Sequence, residues 1–451
     1  MRAGETIFAL ASAPGRAGVA VVRVSGEAAQ SVLTSLTGQS APPPRQAVLR
    51  RITDPVGHQA IDNALVLWFP GPASFTGEDT AEFHLHGGRA VVSSLLSALS
   101  HMPGCRMAEA GEFTRRALMN GRMDLTQVEG LADLINADTQ AQQKQALGQL
   151  QGNLRALYEG WAARLLRLAA HLEAAIDFAD EDLPDDLEDT VRAGVTALAG
   201  DIDRHLADGR RGERLRDGVS VAILGAPNVG KSTLLNALAL RDVAIVSDIA
   251  GTTRDVLDVY LDLGGIPVIL ADTAGIREDA EEIESEGIRR ARQRAESADL
   301  KLVVADAGDW PDVSRETLGL LGEGDILVLS KMDMVDGGLD IMDRGSVHAV
   351  CALSAKSGAG MDHFLSVLTE RVRDLAQEGA GAGAVLTRAR HREALEKCKA
   401  ALHRFVDDPA RPVDLKAEDL RHAIHQIGRI TGRVDVEDYL DVIFRDFCIG
   451  K

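Results

Sequence analysis

The segment 225–232, GAPNVGKS, has residue types and spacing suited to holding phosphate groups. It follows the apolar run VSVAIL and precedes the helical pattern STLLNALA, which is the strand, G-x-x-x-x-G-K-S and helix order of a phosphate-binding loop. Gly225 and Gly230 allow backbone N–H groups to curl around phosphates. Lys231 can neutralise β- and γ-phosphate oxygens, and the Ser232 hydroxyl can ligate Mg²⁺. The loop therefore predicts binding of a nucleoside triphosphate.

Two further segments supply groups for the metal and the γ-phosphate. The segment DTAG begins at Asp272 after the apolar run IPVILA, so the Asp272 carboxylate can hold the metal through water while the Gly275 N–H faces the γ-phosphate. The loop-like segment GTTRD contains Thr253, which can complete the Mg²⁺ shell when triphosphate is bound. Ile276 stands where Ras-type GTPases keep a water-positioning glutamine, so another group must orient the water.

Two loops after later apolar runs have the residues needed to read a base. Ser330, Lys331 and Asp333 follow DILVL, and the segment SAK at 354–356 follows VHAVCAL. Asp333 can accept from the ring N–H and exocyclic amine of guanine, whereas adenine offers no such donor pair. Ser330 replaces the usual Asn of N-K-x-D, which predicts either low affinity or a differently braced loop. We therefore predict GTP rather than ATP.

These loops require a parallel sheet to position them. Between about residues 217 and 375, short apolar strands alternate with helical segments, the pattern of βαβ units. Helical patterns flank this part on both sides. Apolar residues from Leu147 to Ile176 recur at steps of three and four and predict one long helix, and EALEKCKAALHRF and AEDLRHAIHQIGRI predict two more. The pattern indicates an α/β unit inserted into a helical domain.

The domain organisation follows from these patterns. The first 118 residues mix short β-rich runs, such as VAVVRVSG and ALVLWF, with Gly/Pro turns, which is typical of an α+β domain. We therefore predict a multidomain chain that combines α+β and α/β folds. Its segments are an N-terminal domain at 1–118, helical segments at 119–216 and 377–451, and an inserted Ras-like P-loop GTPase domain at 217–376.

Composition excludes several classes of protein. The formal net charge of −19 argues against a uniformly basic surface that coats nucleic acid, so any RNA contact must use local basic patches. Cys105, Cys351, Cys398 and Cys448 are far apart, so neither a disulfide framework nor a zinc site is indicated. No run approaches the roughly 20 apolar residues of a membrane span. We expect a soluble, cytoplasmic protein with no membrane contact.

The motifs together resemble one family. GAPNVGKS, GTTRD, DTAG followed by an apolar residue, the helical flanks and the terminal Cys448-Ile449-Gly450-Lys451 closely resemble the MnmE/TrmE family of tRNA modification GTPases. PGRAGVAVVRVSG, WFPGPASFTGEDTAEFHLHGG and AGEFTRRALMNGRMDL resemble the segments of its folate-binding and dimerisation domain. The resemblance covers essentially the whole chain.

The resemblance implies a reaction and its participants. The family acts as a homodimer with a flavoprotein of the MnmG/GidA type, giving a heterotetramer in which the partner is expected to hold FAD. It adds a carboxymethylaminomethyl-type group to C5 of the wobble uridine of certain tRNAs, using a tetrahydrofolate derivative as one-carbon donor. The same reaction is implied here.

The resemblance also implies the ions and residues of hydrolysis. The family's GTPase is potassium-activated, so Asn228, Ser247, Ile249 and Thr252 are expected around K⁺, and Ser232 and Thr253 around Mg²⁺. Glu284 matches the family's water-orienting glutamate, beside Lys231 as the other catalytic residue of hydrolysis. The residues expected to bind GTP are Asn228, Val229, Gly230, Lys231, Ser232, Thr233, Ser247, Asp248, Ile249, Ala250, Gly251, Thr252, Thr253, Asp272, Thr273, Ala274, Gly275, Ser330, Lys331, Asp333, Ser354, Ala355 and Lys356.

The same resemblance points to Arg23, Glu82, Arg122 and Lys451 as folate-binding residues. Cations suit the carboxylates of folate, and a carboxylate suits the donor edge of a pterin. Cys448 lies in the apolar terminal run YLDVIFRDFCIGK, which we expect to tuck into a pocket near the folate site. Its thiol is a candidate catalytic group, and the alternatives are a redox handle or a small apolar residue.

Two other functions remain as alternatives. A regulatory GTPase, for example in ribosome assembly, would hydrolyse GTP without binding folate, and the N-terminal segments argue against it. A folate-dependent one-carbon transferase with a vestigial GTPase domain is mildly favoured by Ser330. Intact Lys231, Ser232, Thr253 and Asp272 argue that hydrolysis survives.

Overall fold

The computed structural model describes residues 5–177, 187–208, 210–241, 243–245, 258–272, 298–335, 349–377, 385–434 and the single residues 444, 447 and 450. The chain divides into two compact units. The first comprises Met1–Ala132, Leu150–Glu159 and Gly428–Lys451, and the second comprises Asp133–Gln149 and Gly160–Ile427.

The first unit is built on a six-stranded sheet with the order β3-β4-β5-β2-β1-β6. Neighbouring strands are antiparallel except β1 and β6, which are parallel. The strands are β1 (Thr6–Leu10), β2 (Ala17–Ser25), β3 (Val48–Thr53), β4 (Ala60–Phe69), β5 (Thr80–Gly87) and β6 (Cys105–Met107). The helices of its N-terminal part are α1 (Ala29–Thr37), α2 (Arg89–Ser100), α3 (Glu112–Met119) and α4 (Leu125–Ile135), and α4 belongs to the second unit from Asp133 onward.

The two faces of this sheet carry different side chains because successive strand residues alternate in direction. Val22 and Val24 of β2 belong to the core that α1 and α2 build over one face. Ile7 and Phe113, from β1 and α3, belong to a smaller cluster on the other face. Arg23, between the two valines, therefore lies on the α3 face.

Residues near the C-terminus pack within this unit. Phe444 and Phe447 are buried with Leu125 and Val128 of α4. A Cβ atom on Gly450 would lie 2.1 Å from the carbonyl oxygen of Leu10, so the backbone at Gly450 lies directly against the end of β1. The apolar terminal run therefore packs at these three described positions, and its predicted place in a pocket near the folate site stays a prediction.

The second unit contains a six-stranded sheet with the order β12-β11-β10-β7-β9-β8. Neighbouring strands are parallel except β8 and β9. The strands are β7 (Val219–Leu224), β8 (Asp258–Leu263), β9 (Ile266–Asp272), β10 (Leu300–Asp306), β11 (Ile326–Ser330) and β12 (Ala349–Ala352). The helices associated with it are α9 (Lys231–Ala239), α10 (Arg315–Leu318) and α11 (Met361–Gln377).

Both faces of this sheet are covered, as parallel sheets require. Leu234 and Leu238 of α9 and Phe364 and Leu368 of α11 pack on one face. Val303, Ala305, Leu327 and Leu329 form a second cluster on the other face. The apolar runs predict the five strands β7, β9, β10, β11 and β12. They do not predict β8, because its sequence DVYLDL alternates polar and apolar residues and forms no apolar run.

The remaining helices are α5 (Gln140–Leu150), α6 (Asn153–Asp177), α7 (Leu187–Leu206), α8 (Arg211–Asp217), α12 (Ala389–Asp407) and α13 (Val413–Thr431). The prediction of one long helix across 147–176 is wrong. The chain breaks between α5 and α6 at Gly152, whose φ of +93° is incompatible with a continuous right-handed helix. Within the described ranges, no helix combines the length and apolarity needed to cross a bilayer.

Candidate functional site

The predicted phosphate-binding loop joins β7 to α9. A Cβ atom on Gly225 would lie 2.1 Å from the carbonyl oxygen of Val304 in β10, so only glycine allows this close approach. Gly230, with a φ of +100°, is the N-cap of α9, and Lys231 is the first helical residue. The loop therefore presents a helix N-terminus, where N–H groups and the helix dipole favour an anion.

Lys231 lies within this loop. Its side chain is buried, and its Nζ donates to the carbonyl oxygens of Gly225 at 2.8 Å and Ala226 at 2.7 Å. These two carbonyls hold the ammonium group at the loop. A cation in this position can neutralise phosphate oxygens, as predicted from the sequence.

Ser330 braces the loop from the neighbouring strand. It is the last residue of β11 and only 4% exposed. Its Oγ hydroxyl donates to the carbonyl oxygen of Val229 and lies 3.1 Å from the carbonyl oxygen of Ala305. A hydroxyl therefore ties β11 to the predicted phosphate-binding loop, as expected for a differently braced loop, and the affinity for guanine stays a prediction.

The next residue, Lys331, has a φ of +58°. Its Nζ lies 2.8 Å from Oδ2 of Asp306, the last residue of β10. Asp306 also accepts from the Gly308 N–H at 3.0 Å. Donation from Lys331, together with the Gly308 N–H, holds the pKa of the Asp306 carboxyl below its usual range. Lys331 is therefore held beside the loop by a carboxylate that sequence reasoning missed.

Asp333 lies beside the loop that follows β12. A hydrogen bond from the Ser354 hydroxyl is the main reason that the pKa of Asp333 lies below its usual range. Ser354 is itself fully buried, and its Oγ accepts from the Ser357 N–H at 3.1 Å. The Met332 N–H donates to the Leu353 carbonyl at 3.1 Å, which joins the two loops directly. An ionised, exposed carboxylate is the acceptor that guanine requires.

These groups come together because parallel strands end at the same edge of a sheet. The ends of β7, β10, β11 and β12 carry the phosphate-binding loop, Asp306, Ser330 and Ser354. The backbone of Asp272 ends β9 in register with Ile223 of β7. The described part of the chain thus unites the predicted phosphate and base loops. Predicted residues that lie outside it are Ser247, Asp248, Ile249, Ala250, Gly251, Thr252, Thr253, Thr273, Ala274, Gly275, Glu284, Cys448 and Lys451.

The first unit brings together two of the predicted folate-binding residues. Arg23 of β2 and Glu82 of β5 are register partners, and Arg23 donates from Nε and Nη2 to Oε1 of Glu82 at 3.0 and 2.9 Å. Both side chains are mostly buried. The guanidinium lies 5.2 Å from the ring centre of Phe75 and 5.7 Å from that of Phe113. His84 lies 3.2 Å from the other oxygen of Glu82. Sequence reasoning missed these three neighbours, because strand register decides them.

Arg122 is less tightly held. It is exposed, and its backbone N–H donates to the Ala117 carbonyl at 2.8 Å. A Cβ atom on Gly77 would lie 3.3 Å from its Cγ, so the stem of Arg122 packs beside the segment that contains Phe75. Its guanidinium is thus available at the surface next to that segment.

Comparison with known proteins gives matches over nearly the whole chain. The family model described as the GTP-binding protein TrmE N-terminus matches residues 6–122, and the MnmE helical domain model matches residues 125–448. A protein of Paramagnetospirillum magneticum named tRNA modification GTPase MnmE is 53% identical, with 99% of this chain and 100% of that protein covered. One of Parvibaculum lavamentivorans with the same name is 54% identical, with the same coverage.

A more distant relative comes from a vertebrate. The mitochondrial 5-taurinomethyluridine tRNA synthase subunit GTPB3 of Danio rerio is 48% identical, with 99% of this chain and 93% of that protein covered. Among solved structures, Aquifex aeolicus Era bound to GDP and AlF4⁻ is 25% identical, with a TM-score of 0.27 over 40% of this chain and 66% of that chain.

Proposed function

The chain belongs to the MnmE family of tRNA modification GTPases and hydrolyses GTP, and on this basis we propose its full reaction. With a flavoprotein partner of the MnmG/GidA type that carries FAD, it adds a carboxymethylaminomethyl-type group to C5 of the wobble uridine of certain tRNAs. A tetrahydrofolate derivative donates the one-carbon unit. GTP binding and hydrolysis are supported by one observation: the predicted phosphate-binding and base-binding loops lie together at one edge of the parallel sheet.

In this proposal each described loop has a separate task. Backbone N–H groups at the start of α9 bind the phosphates, and Lys231 offsets their charge. Asp333 accepts from guanine, and Ser330 fixes the distance between the base loop and the phosphate loop. Ser330 stands where the usual motif has Asn, but its hydroxyl donates to the Val229 carbonyl. The absence of Asn is therefore no argument for a vestigial GTPase site.

Two cations complete the proposed hydrolysis site. Ser232, at the N-terminus of α9, offers its hydroxyl to Mg²⁺ together with Thr253. Asn228 is exposed, and its φ of +62° is one that asparagine tolerates better than most residues. It would hold K⁺ with oxygens of Ser247, Ile249 and Thr252. These ions supply positive charge beside the phosphates, and Glu284 orients the attacking water.

The pair Arg23–Glu82 supports a folate site in the first unit. A pterin presents amine and N–H donors, and a mostly buried carboxylate that pairs with a guanidinium suits them. Phe75 and Phe113 supply aromatic surface next to the pair. Arg122, which is exposed and packs beside Gly77, suits the carboxylates of the folate tail. These side chains fit the group, which supplies the one-carbon unit when bound.

The other proposed features follow the family. We assign a folate-type and dimerisation domain to 1–118, helical segments to 119–216 and 377–451, and an inserted GTPase domain to 217–376. The protein acts as a homodimer in the cytoplasm and forms a heterotetramer with the flavoprotein. By the same resemblance Lys451 is assigned as a further cation for folate, and Cys448 is assigned as the candidate catalytic thiol.

One experiment separates this proposal from a purely regulatory GTPase. GTP hydrolysis is measured in KCl and NaCl at equal ionic strength, and binding of 5-formyltetrahydrofolate is measured by calorimetry on the same preparation. Faster turnover in KCl and saturable folate binding are expected. Equal rates in both salts would remove the K⁺ site, and absence of folate binding would return the regulatory alternative.

A further inference from the structure

Helix α8 is tied to the amino-terminal edge of the parallel sheet. It directly precedes β7, the strand that ends in the phosphate-binding loop. Arg214 of α8 donates from Nε to Oδ1 of Asp299 at 2.8 Å and from Nη1 to the carbonyl oxygen of Leu375 at 3.1 Å. The other oxygen of Asp299 accepts from the Ser220 N–H of β7 at 3.0 Å. Movement of β7 along its axis must therefore involve α8.

One carboxylate binds an arginine just before the first strand of the parallel sheet and another beyond α11, the last helix packed on that sheet. Oδ1 of Asp133, near the end of α4, accepts from Nε of Arg216 at 3.1 Å and from Nη2 of Arg388 at 2.7 Å. Arg216 lies just before β7, and Arg388 is the N-cap of α12. The side chain of Asp133 is 15% exposed, so water and salt weaken these ion pairs less than they would a surface pair.

Backbone contacts reinforce the same junction. A Cβ atom on Gly212 would lie 2.0 Å from the carbonyl oxygen of Leu386, so the backbone of α8 touches the backbone just before α12. Gln145 of α5 donates to the Gly212 carbonyl at 2.8 Å, and Gln142 to the Arg216 carbonyl at 2.9 Å. Helix α8 is thus held along its length.

Helix α12 is attached to α8 by a second set of charges. Arg392 donates from Nη2 to Oδ1 of Asp208 at 2.7 Å and from Nε to Oε1 of Glu213 at 3.1 Å. Its Nη1 also donates to the carbonyl oxygen of Leu206 at the end of α7 at 3.0 Å. A displacement of α8 is therefore passed to both α7 and α12.

We propose that Asp133 is a positioning residue that links the nucleotide site to the helical segments. Through Arg216 and Arg388 it makes α8, α12 and α4 move together when β7 shifts on hydrolysis. If hydrolysis drives tRNA modification, it does so through this junction, and this part of the inference rests on the function proposed above.

The test compares Asp133→Asn with a matched control, Asp201→Asn. Asp201 also receives two arginines, Arg164 at 2.5 Å and Arg204, but these belong to α6 and α7 and not to α8 or α12. Hydrogen exchange of the α12 amides is measured in the full-length protein with GDP and with GDP plus AlF4⁻ in KCl. GTP hydrolysis and tRNA modification are measured on the same samples.

We expect Asp133→Asn to hydrolyse GTP within about twofold of the unaltered protein. The nucleotide-dependent difference in α12 exchange and the rate of tRNA modification should each fall about tenfold, an ordinary size for coupling between sites. Asp201→Asn should retain both. Persistence of the exchange difference in Asp133→Asn, its equal loss in Asp201→Asn, or its absence in the unaltered protein overturns the proposal.

The design separates failure of this inference from failure of the proposed function. If the unaltered protein does not modify tRNA, the proposed function is wrong, but the exchange comparison still tests the junction. If Asp133→Asn does not fold, Arg388→Lys replaces it, because lysine keeps the charge but loses the planar donor geometry. An undiminished exchange difference in Arg388→Lys would then contradict the inference.

Discussion

The candidate nucleotide site and the Arg23–Glu82 site place charge by different means. In the nucleotide site, short loops at the ends of parallel strands hold Lys231 against backbone carbonyls and Lys331 against Asp306. In the Arg23–Glu82 site, two charged residues from neighbouring strands neutralise each other across the sheet. A nucleotide would meet lysines that backbone carbonyls or a neighbouring carboxylate already position. A folate bound as proposed would instead have to share the existing Arg23–Glu82 pair.

The two sites should respond differently to single substitutions. Each loop of the nucleotide site sets its backbone from contiguous sequence and is joined to its neighbour by single contacts, such as the Ser330 hydroxyl on the Val229 carbonyl. A substitution there therefore removes one contact at a time. A cross-strand pair depends on register, so removing one partner leaves the other as a mostly buried, unbalanced charge. In the second unit we therefore expect a substitution to lower activity with little change in stability. In the first unit we expect it to lower both ligand affinity and stability.

The largest expected effect comes from Lys231→Ala. Loss of the preorganised cation should lower the rate of GTP hydrolysis by roughly 10²–10³-fold or more, because Lys231 is bound to the loop carbonyls themselves, whereas the neighbouring Lys331 is engaged with Asp306. Phosphate release at saturating GTP measures it. Lys301→Ala, on β10 of the same sheet, is the control. Folate binding should be unchanged, and a variant that keeps a tenth of the activity would contradict the role of Lys231.

Next in size is Glu82→Gln in the first unit. The neutral amide cannot balance Arg23 or serve as a charged acceptor, so affinity for 5-formyltetrahydrofolate should fall roughly 10–100-fold. GTP hydrolysis should not change. The matched control is Asp62→Asn, which removes the other carboxylate–histidine contact of the sheet, to His86 at 2.8 Å. Equal losses in both variants would show general disturbance of the sheet rather than a folate contact.

The difference between the two sites also explains what the sequence could predict. GAPNVGKS and the loop of Ser330 are contiguous, and each follows an apolar run that became a strand, so their convergence followed from parallel pairing alone. The contact of Arg23 with Glu82 spans 59 positions and depends on β2 pairing with β5 in one register. Without the family resemblance, no local pattern indicates it.

Other features escaped prediction for related reasons. Asp306 ends an apolar strand and showed no motif, yet it holds Lys331 because β10 and β11 are adjacent and in register. The break at Gly152 lies inside an apolar period that continues on both sides, so periodicity alone could not locate it. The junction at Asp133 joins residues from three distant segments, which only the folded chain brings together.

A smaller effect tests the brace at Ser330. Ser330→Ala should weaken GDP binding about tenfold, because the buried Val229 carbonyl loses its donor, while Ser330→Asn should restore or tighten binding. Fluorescence titration with a labelled GDP measures the dissociation constant. Ser314→Ala removes the cap of α10 in the same sheet domain and should lower stability without changing affinity. Unchanged affinity in Ser330→Ala would mean that the brace does not support the loop.

The smallest effect concerns pH. The Ser354 hydroxyl lowers the pKa of Asp333, so the ionised carboxylate that guanine needs persists to lower pH. In Ser354→Ala the pKa of Asp333 should rise toward its usual value, so GDP binding should be lost at a higher pH as the solution is acidified. Affinities at neutral pH should differ little. Ser357→Ala is the control, and identical acid profiles in the variant and the unaltered protein would contradict this assignment.

The contact of Gly212 with Leu386 has a consequence for modularity. These two backbones touch, and everything between them in sequence, including the whole parallel sheet, forms a loop whose ends already meet. Because the cost of closing a loop changes only slowly with its length, the part of this segment that follows α8 can be lengthened or exchanged with little penalty to the rest. The junction is therefore a natural site for grafting: a different domain joined after α8 and before Arg388 should leave α7 packed on α12 and the contacts of Asp133 intact.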